Sequence, residues 1–354
     1  MKNRIEYAFT TGYTAHGLHS YLPAILNHLN RLILLNGGPG TGKSTFMKQV
    51  GLALADRGHQ VQFWLSPLDP AYIDGVYLPH LKTAIINGDR ADSGRSDCAG
   101  MAVHNIDLAE FMDQIAIENS RDDIRKLTDQ IEAILEFVKG SLEKALQTRD
   151  YLNSKYIRGL DYNKLLACTS GLAEEILGKK EKEIHYFASA ITSEGIVDFY
   201  EEASRNCDRC YVLNGPQGNC KSWLMIRIAE EALGCGYFVK YYHSGLDPAS
   251  LEMIVIDSLK VMIVDGSVIN FFDKPYQQEI DLYQCFEKYD TGLDELELSQ
   301  AEKRFSNLLI EAVEGLIRVR KTEQKLSSMF TKAMAFDRID DRREELIKEI
   351  LEIK

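Results

Sequence analysis

The chain is written twice. Laid against itself, the stretch from Phe9 to Asp89 falls over Phe187 to Ser267 without a gap, and about 22 of about 81 pairs are identical, against a chance level of roughly 6%. Shared blocks include Leu35-Asn36-Gly37 with Leu213-Asn214-Gly215, Lys43-Ser44 with Lys221-Ser222, Leu68-Asp69-Pro70-Ala71 with Leu246-Asp247-Pro248-Ala249, and Leu81-Lys82 with Leu259-Lys260. Two copies of one unit therefore make up the molecule, one over residues 1–180 and one over 181–354. The lysine- and glutamate-rich stretch from Lys179 to Glu183 is the expected join. Any fold assigned to one copy has to suit the other.

Each copy carries the same rhythm. Arg31 to Asn36 and Arg209 to Asn214 are short apolar runs ending at a glycine, the pattern of a buried parallel strand. A helix from Lys43 to Asp56 follows in the first copy, with Phe46, Val50, Leu52, Ala53 and Leu54 as its apolar side and Gly58 as its stop. A second strand is expected over Val61 to Leu65 or Phe238 to Tyr242, and a third over Thr83 to Ile86 or Val261 to Val264. Strand, helix, strand in this order predicts an α/β fold with a parallel sheet and helices on both faces. After the third strand both copies turn charged and helical. Ile124 to Asn153 and Glu302 to Met329 read as a long antiparallel helical arm on each unit, and Gly140 falls over Gly315 at a slightly shorter shift. Their charged faces are either solvated or surfaces for a protein partner or self-association.

Composition narrows the class. Of 354 residues, 45% are hydrophobic, enough for a sizeable packed core. A formal charge of -12 argues against a nucleic-acid partner, and no apolar run approaches the length of a membrane span, so a cytoplasmic chain without membrane attachment is expected. Seven scattered cysteines suggest reduced thiols rather than a disulfide framework. Cys207 and Cys210 lie over Leu29 and Leu32 and read as core residues.

The chemistry concentrates at Gly37-Gly38-Pro39-Gly40-Thr41-Gly42-Lys43-Ser44, a Gly-x4-Gly-Lys-Ser/Thr run followed by Thr45. Glycines at this spacing allow positive φ and let backbone N–H groups approach phosphates, and the helix start favours an anion. Lys43 would reach the β- and γ-phosphates and the Ser44 hydroxyl would ligate magnesium. These residues resemble the P-loop NTPase superfamily over each strand-helix-strand unit, and the whole chain is similar to a group of bacterial tandem P-loop ATPase-like proteins. The resemblance implies two tandem P-loop NTPase-like sheets and binding of ATP with magnesium. It also implies an Asp-Gly segment after the third strand, which here is Asn87-Gly88-Asp89 and Asp265-Gly266-Ser267 without the Pro-His that often follows.

The second loop departs from the pattern. Gly215, Gly218, Lys221 and Ser222 are kept, but Cys220 replaces the glycine before the lysine and Trp223 replaces Thr45. A Cβ at a left-handed position costs about 1 kcal/mol or more, so a degenerate structural copy is expected, with weak binding left open. The acid that would hold magnesium has several candidates. Asp265 ends the third strand of copy two, and Asp69, matched by Asp247, lies at the carboxyl edge where ligands sit in open α/β sheets. Asp69-Pro70-Ala71 is also a good helix start with Asp69 as N-cap. Asp74 and Asp89 are weaker candidates. His16, in a turn before the first strand, is a candidate for contacting the adenine, with simple packing as the alternative. No Asn-Lys-x-Asp run marks a guanine site. The leading function is an ATP-binding protein acting as a slow ATPase or nucleotide-dependent switch. The alternatives are a small-molecule kinase with Asp69 as base, and a nucleotide-sensing scaffold without chemistry.

Overall fold

The computed structural model describes residues 5–26, 29–90, 101–156, 160–176, 182–215, 220–267, 277–286 and 295–352. The first half runs β1 (Ile5–Ala8), β2 (Thr11–Thr14), β3 (Gly17–Ser20), α1 (Leu22–Leu26), β4 (Arg31–Asn36), α2 (Lys43–Asp56), β5 (Val61–Leu65), β6 (Ile73–Leu78), β7 (Thr83–Asn87), β8 (Ala102–Asp107), α3 (Gln114–Asn119), α4 (Arg121–Tyr156) and α5 (Tyr162–Ile176). The second half repeats it as β9 (Lys182–Phe187), β10 (Ser189–Thr192), β11 (Gly195–Asp198), α6 (Tyr200–Ser204), β12 (Arg209–Asn214), α7 (Cys220–Gly234), β13 (Phe238–His243), β14 (Leu251–Ile256), β15 (Val261–Asp265), β16 (Gln277–Asp281), α8 (Glu295–Thr331) and α9 (Phe336–Leu351). Most of the proposed join lies outside the described residues.

Each half builds one six-stranded sheet, in the orders β1-β5-β6-β7-β4-β8 and β9-β13-β14-β15-β12-β16. The sheets are parallel except at β6 and β14, which run antiparallel to both neighbours. This corrects the expected uninterrupted parallel sheet. Asp69-Pro70-Ala71 does not start a helix: the Tyr72 N–H closes a tight turn on the Asp69 carbonyl at 2.9 Å, and the chain returns at once as β6. The proline suits a turn as well as a first helical turn, and the pairing of β6 with both β5 and β7 decides for the turn.

Strand alternation sorts the side chains onto two faces. Ile33 and Leu35 of β4 pack under α2 with Phe46, Met47, Val50 and Leu54, whereas Leu52 points to solvent, contrary to its expected place in the apolar side. Gly58 ends the helix with φ +100, its N–H on the Ala55 carbonyl. Leu32 and Leu34 face the opposite way and share one core with Val212, Met262 and Val264 of the other sheet, Cys210 among them and Cys207 packed beside it. The second face of each sheet is therefore covered by the other unit and by the one-turn helices α1 and α6, not by a helical layer of its own.

The halves are interleaved. Phe9 and Phe187, equivalent residues of the repeat, pair with each other in an antiparallel bridge. The Ala15 N–H donates to the Leu246 carbonyl at 3.1 Å, and its equivalent, the Ser193 N–H, donates to the Leu68 carbonyl at 3.2 Å. After its arm each half crosses over. Ile339, Leu346, Ile347 and Ile350 of α9 complete the core under α2, while Leu165, Leu172 and Ala173 of α5 complete the core under α7.

The arms pack on each other. Val138 and Leu142 of α4 meet Ala312, Leu316 and Val319 of α8. Residues 144–151 lie beside residues 297–304, and Arg318 lies over the Phe137 ring at 5.3 Å, so the two helices run antiparallel. The antiparallel arm expected within each unit is thus a single helix per unit, paired between units. Among the described residues no helix is long and apolar enough to cross a membrane.

Candidate functional site

The strand β4 delivers Asn36 to the glycine loop, and α2 begins at Lys43. Gly37, Gly38, Gly40 and Gly42 take φ of +133, +76, +72 and +91. Such a backbone is open to glycine and strained for residues with a Cβ. The loop is closed by its own donors. The Thr41 hydroxyl donates to the Gly38 carbonyl at 3.0 Å, and the Lys43 ammonium donates to the same carbonyl. Lys43 Nζ also lies 2.7 Å from Asp89 Oδ2, and the Gly38 N–H donates to that oxygen at 3.1 Å. A carboxylate therefore sits on both the lysine and a loop amide. The Ser44 hydroxyl accepts the Ile73 N–H at 2.8 Å, tying the first turn of α2 to β6.

Outside the loop the arm of the other half closes in. A Cβ at Gly40 would run into the Ser327 carbonyl of α8, and Thr331 donates to the Gly40 carbonyl at 3.1 Å. Phe330 faces Gly38 and Phe336 faces Gly42. Pro39 and Thr45 stay within this loop and first turn.

No family model, curated protein or solved structure matches the chain. The site is accordingly read from its own geometry and from the comparison of the two copies.

In the second unit Lys221 repeats the motif with a different acid. Its Nζ lies 2.7 Å from Asp265 Oδ1 and donates to the Ser267 hydroxyl at 3.1 Å. Asp265 stands over Asn87 and Ser267 over Asp89 in the repeat, so the carboxylate sits at the strand end in one unit and two positions later, in the 3-10 turn Gly88–Arg90, in the other, and meets the lysine in both. Ser222 Oγ accepts the Leu251 N–H at 2.9 Å, as Ser44 does in the first unit. Gly215 follows β12, Gly218 lies outside the described residues, and Cys220 opens α7 as a buried thiol whose pKa burial pushes up. Trp223 is partly exposed.

The remaining candidates are spread apart. Asp69 is buried, accepts the Ala71 N–H at 3.1 Å and lies 2.5 Å from Arg320 Nε of α8. Its equivalent Asp247 lies 2.6 Å from Arg149 of α4 and accepts from Ser250 at 2.8 Å. Burial works to raise the Asp247 carboxyl, but the hydrogen bonds from Arg149 and Ser250 outweigh it and hold it below the usual carboxylate range. Asp74 accepts from Asn87 Nδ2 at 3.3 Å. His16 sits exposed in the turn between β2 and β3, 3.9 Å from Asp247 of the other unit.

Sequence reasoning missed Arg149, Arg320, Thr331 and Glu252. The first three reach a different half of the chain from their own, and no spacing signals that. Glu252 had a signal: it stands over Asp74 in the repeat, so an acid recurs at that position in both copies.

Proposed function

We propose that the chain binds a nucleoside triphosphate, ATP with magnesium, at Gly37–Ser44, with slow turnover, and that the bound state is passed to the arms. The carrying observation is the Asp89 carboxylate held by Lys43 and the Gly38 N–H. An anion is already seated on two donors that would serve a phosphate, and the glycine backbone and the start of α2 favour negative charge there. Phosphate oxygens carry more charge than one carboxylate and would displace it. Magnesium would be held beside Ser44, whose oxygen has a lone pair left after accepting from Ile73. Slow turnover follows from the strand ends, where Asn87-Gly88-Asp89 offers no second acid to orient a water. Because Thr331 and Ser327 rest on Gly40, any shift of the loop on filling moves the end of α8. The kinase reading is less favoured, since Asp69 as a base would first have to leave Arg320.

Calorimetric titration of the wild type with ATP and magnesium should give one binding event that Lys43→Ala abolishes. Asp89→Asn should tighten it, because the competing charge is gone. Binding that is absent from the wild type, or undiminished in Lys43→Ala, would overturn the proposal. Phosphate release from the same samples reads turnover separately.

A further inference from the structure

Beside Lys221 the second unit holds a cavity of about 390 Å³ between its sheet and both arms. That volume is in the range of small-molecule sites. Its wall includes Arg149 of α4 and Phe305 and Leu309 of α8, so neither half of the chain encloses it alone. Glu252 of β14 lines it from the sheet. Glu252 Oε2 accepts from the Tyr200 hydroxyl at 2.6 Å and from the Ser189 hydroxyl at 3.1 Å, and no cation reaches the carboxylate among the described residues. The two cations in the wall are already engaged, Lys221 by Asp265 and Arg149 by Asp247. Burial pushes the Glu252 carboxyl up, with the charge of Asp265 behind it, and outweighs the hydrogen bonds from Tyr200, Ser244 and Ser189 that work to lower it. A carboxylate inside a fold without a cation is costly, and a cation arriving in the cavity would relieve that cost.

The sister copy makes the contrast. Glu252 stands over Asp74 and Asp265 over Asn87, and in the first unit that acid is hydrogen-bonded to that amide. Tyr200, which donates to Glu252, stands over Leu22, while Ser250 and Ile191 of the wall stand over the larger Tyr72 and Tyr13. The second unit has smaller side chains at Ile191 and Ser250, and at Tyr200 a hydroxyl that holds Glu252 where the first unit has Leu22.

We propose that this cavity binds a small molecule bearing a protonated amine and an apolar body, the ammonium on Glu252 and the body against Ile191, Phe305 and Leu309. An anionic ligand is disfavoured by Glu252: even after displacing Asp265 from Lys221, as a phosphate would displace Asp89 from Lys43, it would lie beside a carboxylate that no cation reaches among the described residues. The site is in the other unit from the glycine loop of Gly37–Ser44 and does not depend on nucleotide binding there.

The test is calorimetry on the full chain with 1,4-diaminobutane, 2-phenylethylamine and tryptamine, and with phenylacetate as an anion of matched shape. An aromatic amine should bind and phenylacetate should not. Glu252→Gln should weaken the amine on the order of tenfold, the loss of one charge-assisted hydrogen bond. Ile191→Tyr, which brings in the first unit's residue at that position, should abolish binding by filling the space, with thermal melting of both variants reporting that the fold is kept. Phenylacetate binding as tightly as the amines, amine affinity unchanged in both folded variants, or no binding by any of the three amines would each overturn the assignment.

Discussion

At the scale of single residues, the two lysines show what the repeat preserves. Lys43 and Lys221 each meet one carboxylate beyond or at the end of the neighbouring strand, yet the acid is Asp89, in the short 3-10 turn after β7, in one unit and Asp265, the last residue of β15, in the other. The glycine loop and its lysine at the helix start were legible from spacing alone, because that geometry is local, whereas the pairing of Lys43 with Asp89 and of Lys221 with Asp265 was not. The partners of Asp69 and Asp247 were not, since Arg320 and Arg149 come from distant arms and an isolated arginine on a helix carries no mark of its mate. A second residue-scale feature lies between the units, where Nδ1 of His185 and Nε2 of His243 are 2.8 Å apart and Tyr21 stacks on both rings. Burial pushes His243 down to about 3, and His185 repels the same proton. Glu183 beside His185 and Asp247 act in the opposite sense and are outweighed. A histidine with a lowered folded pKa leaves stability intact above its ordinary value near 6.5 and removes it as pH falls toward the folded value. At pH 5 the loss from His243 alone should be about 2 kcal/mol. Urea denaturation at pH 7.5 and pH 5 measures it, and His243→Gln should flatten the difference.

At the scale of elements, the short strands and the first helix of the unit follow from their period to within a residue or two, whereas the arms extend beyond their expected bounds, α4 by three residues at each end and α8 by seven at its start. The predicted bounds of β4, α2 and β5 coincide with the observed ones. What failed was β6, masked by a turn whose residues also suit a helix start, and the pairing of the arms. Periodicity tells which stripe of α4 is apolar, but not what covers it, and the stripe of α8 fits it as well as any surface of its own unit. The arms are pinned by two ion pairs of the same design, Arg149 with Asp247 and Arg320 with Asp69. Arg149→Ala should cost about 2 kcal/mol, because it strands a partly buried carboxylate, and Asp247→Asn in the same chain should recover most of it. A double-mutant cycle by chemical denaturation checks this; strict additivity would mean that the pair contributes nothing.

At the scale of the whole molecule, the sequence announced two copies but was silent on their relation. Self-similarity reports that two units share a fold, whereas contact between them rests on residues that need not resemble each other. Each core draws its last helix from the opposite half, α9 under α2 and α5 under α7. A chain ending at residue 180 should consequently leave the face over α2 open and aggregate. Residues 1–180 and 181–354 produced together should co-purify as one complex, and recovery of either as a folded monomer by sedimentation would contradict the interleaved core. The bridge between Phe9 and Phe187 sets a residue against its own counterpart, which happens only beside an axis of twofold rotation. In an assembly of identical subunits every amino-acid change is made twice, once on each side of such an axis. Carrying both sides on one polypeptide lifts that constraint, so Cys220 can stand where the other half has Gly42, and Glu252 where it has Asp74, within a scaffold that stays symmetric. The molecule keeps the geometry of a dimer while its two halves are free to take up different ligands.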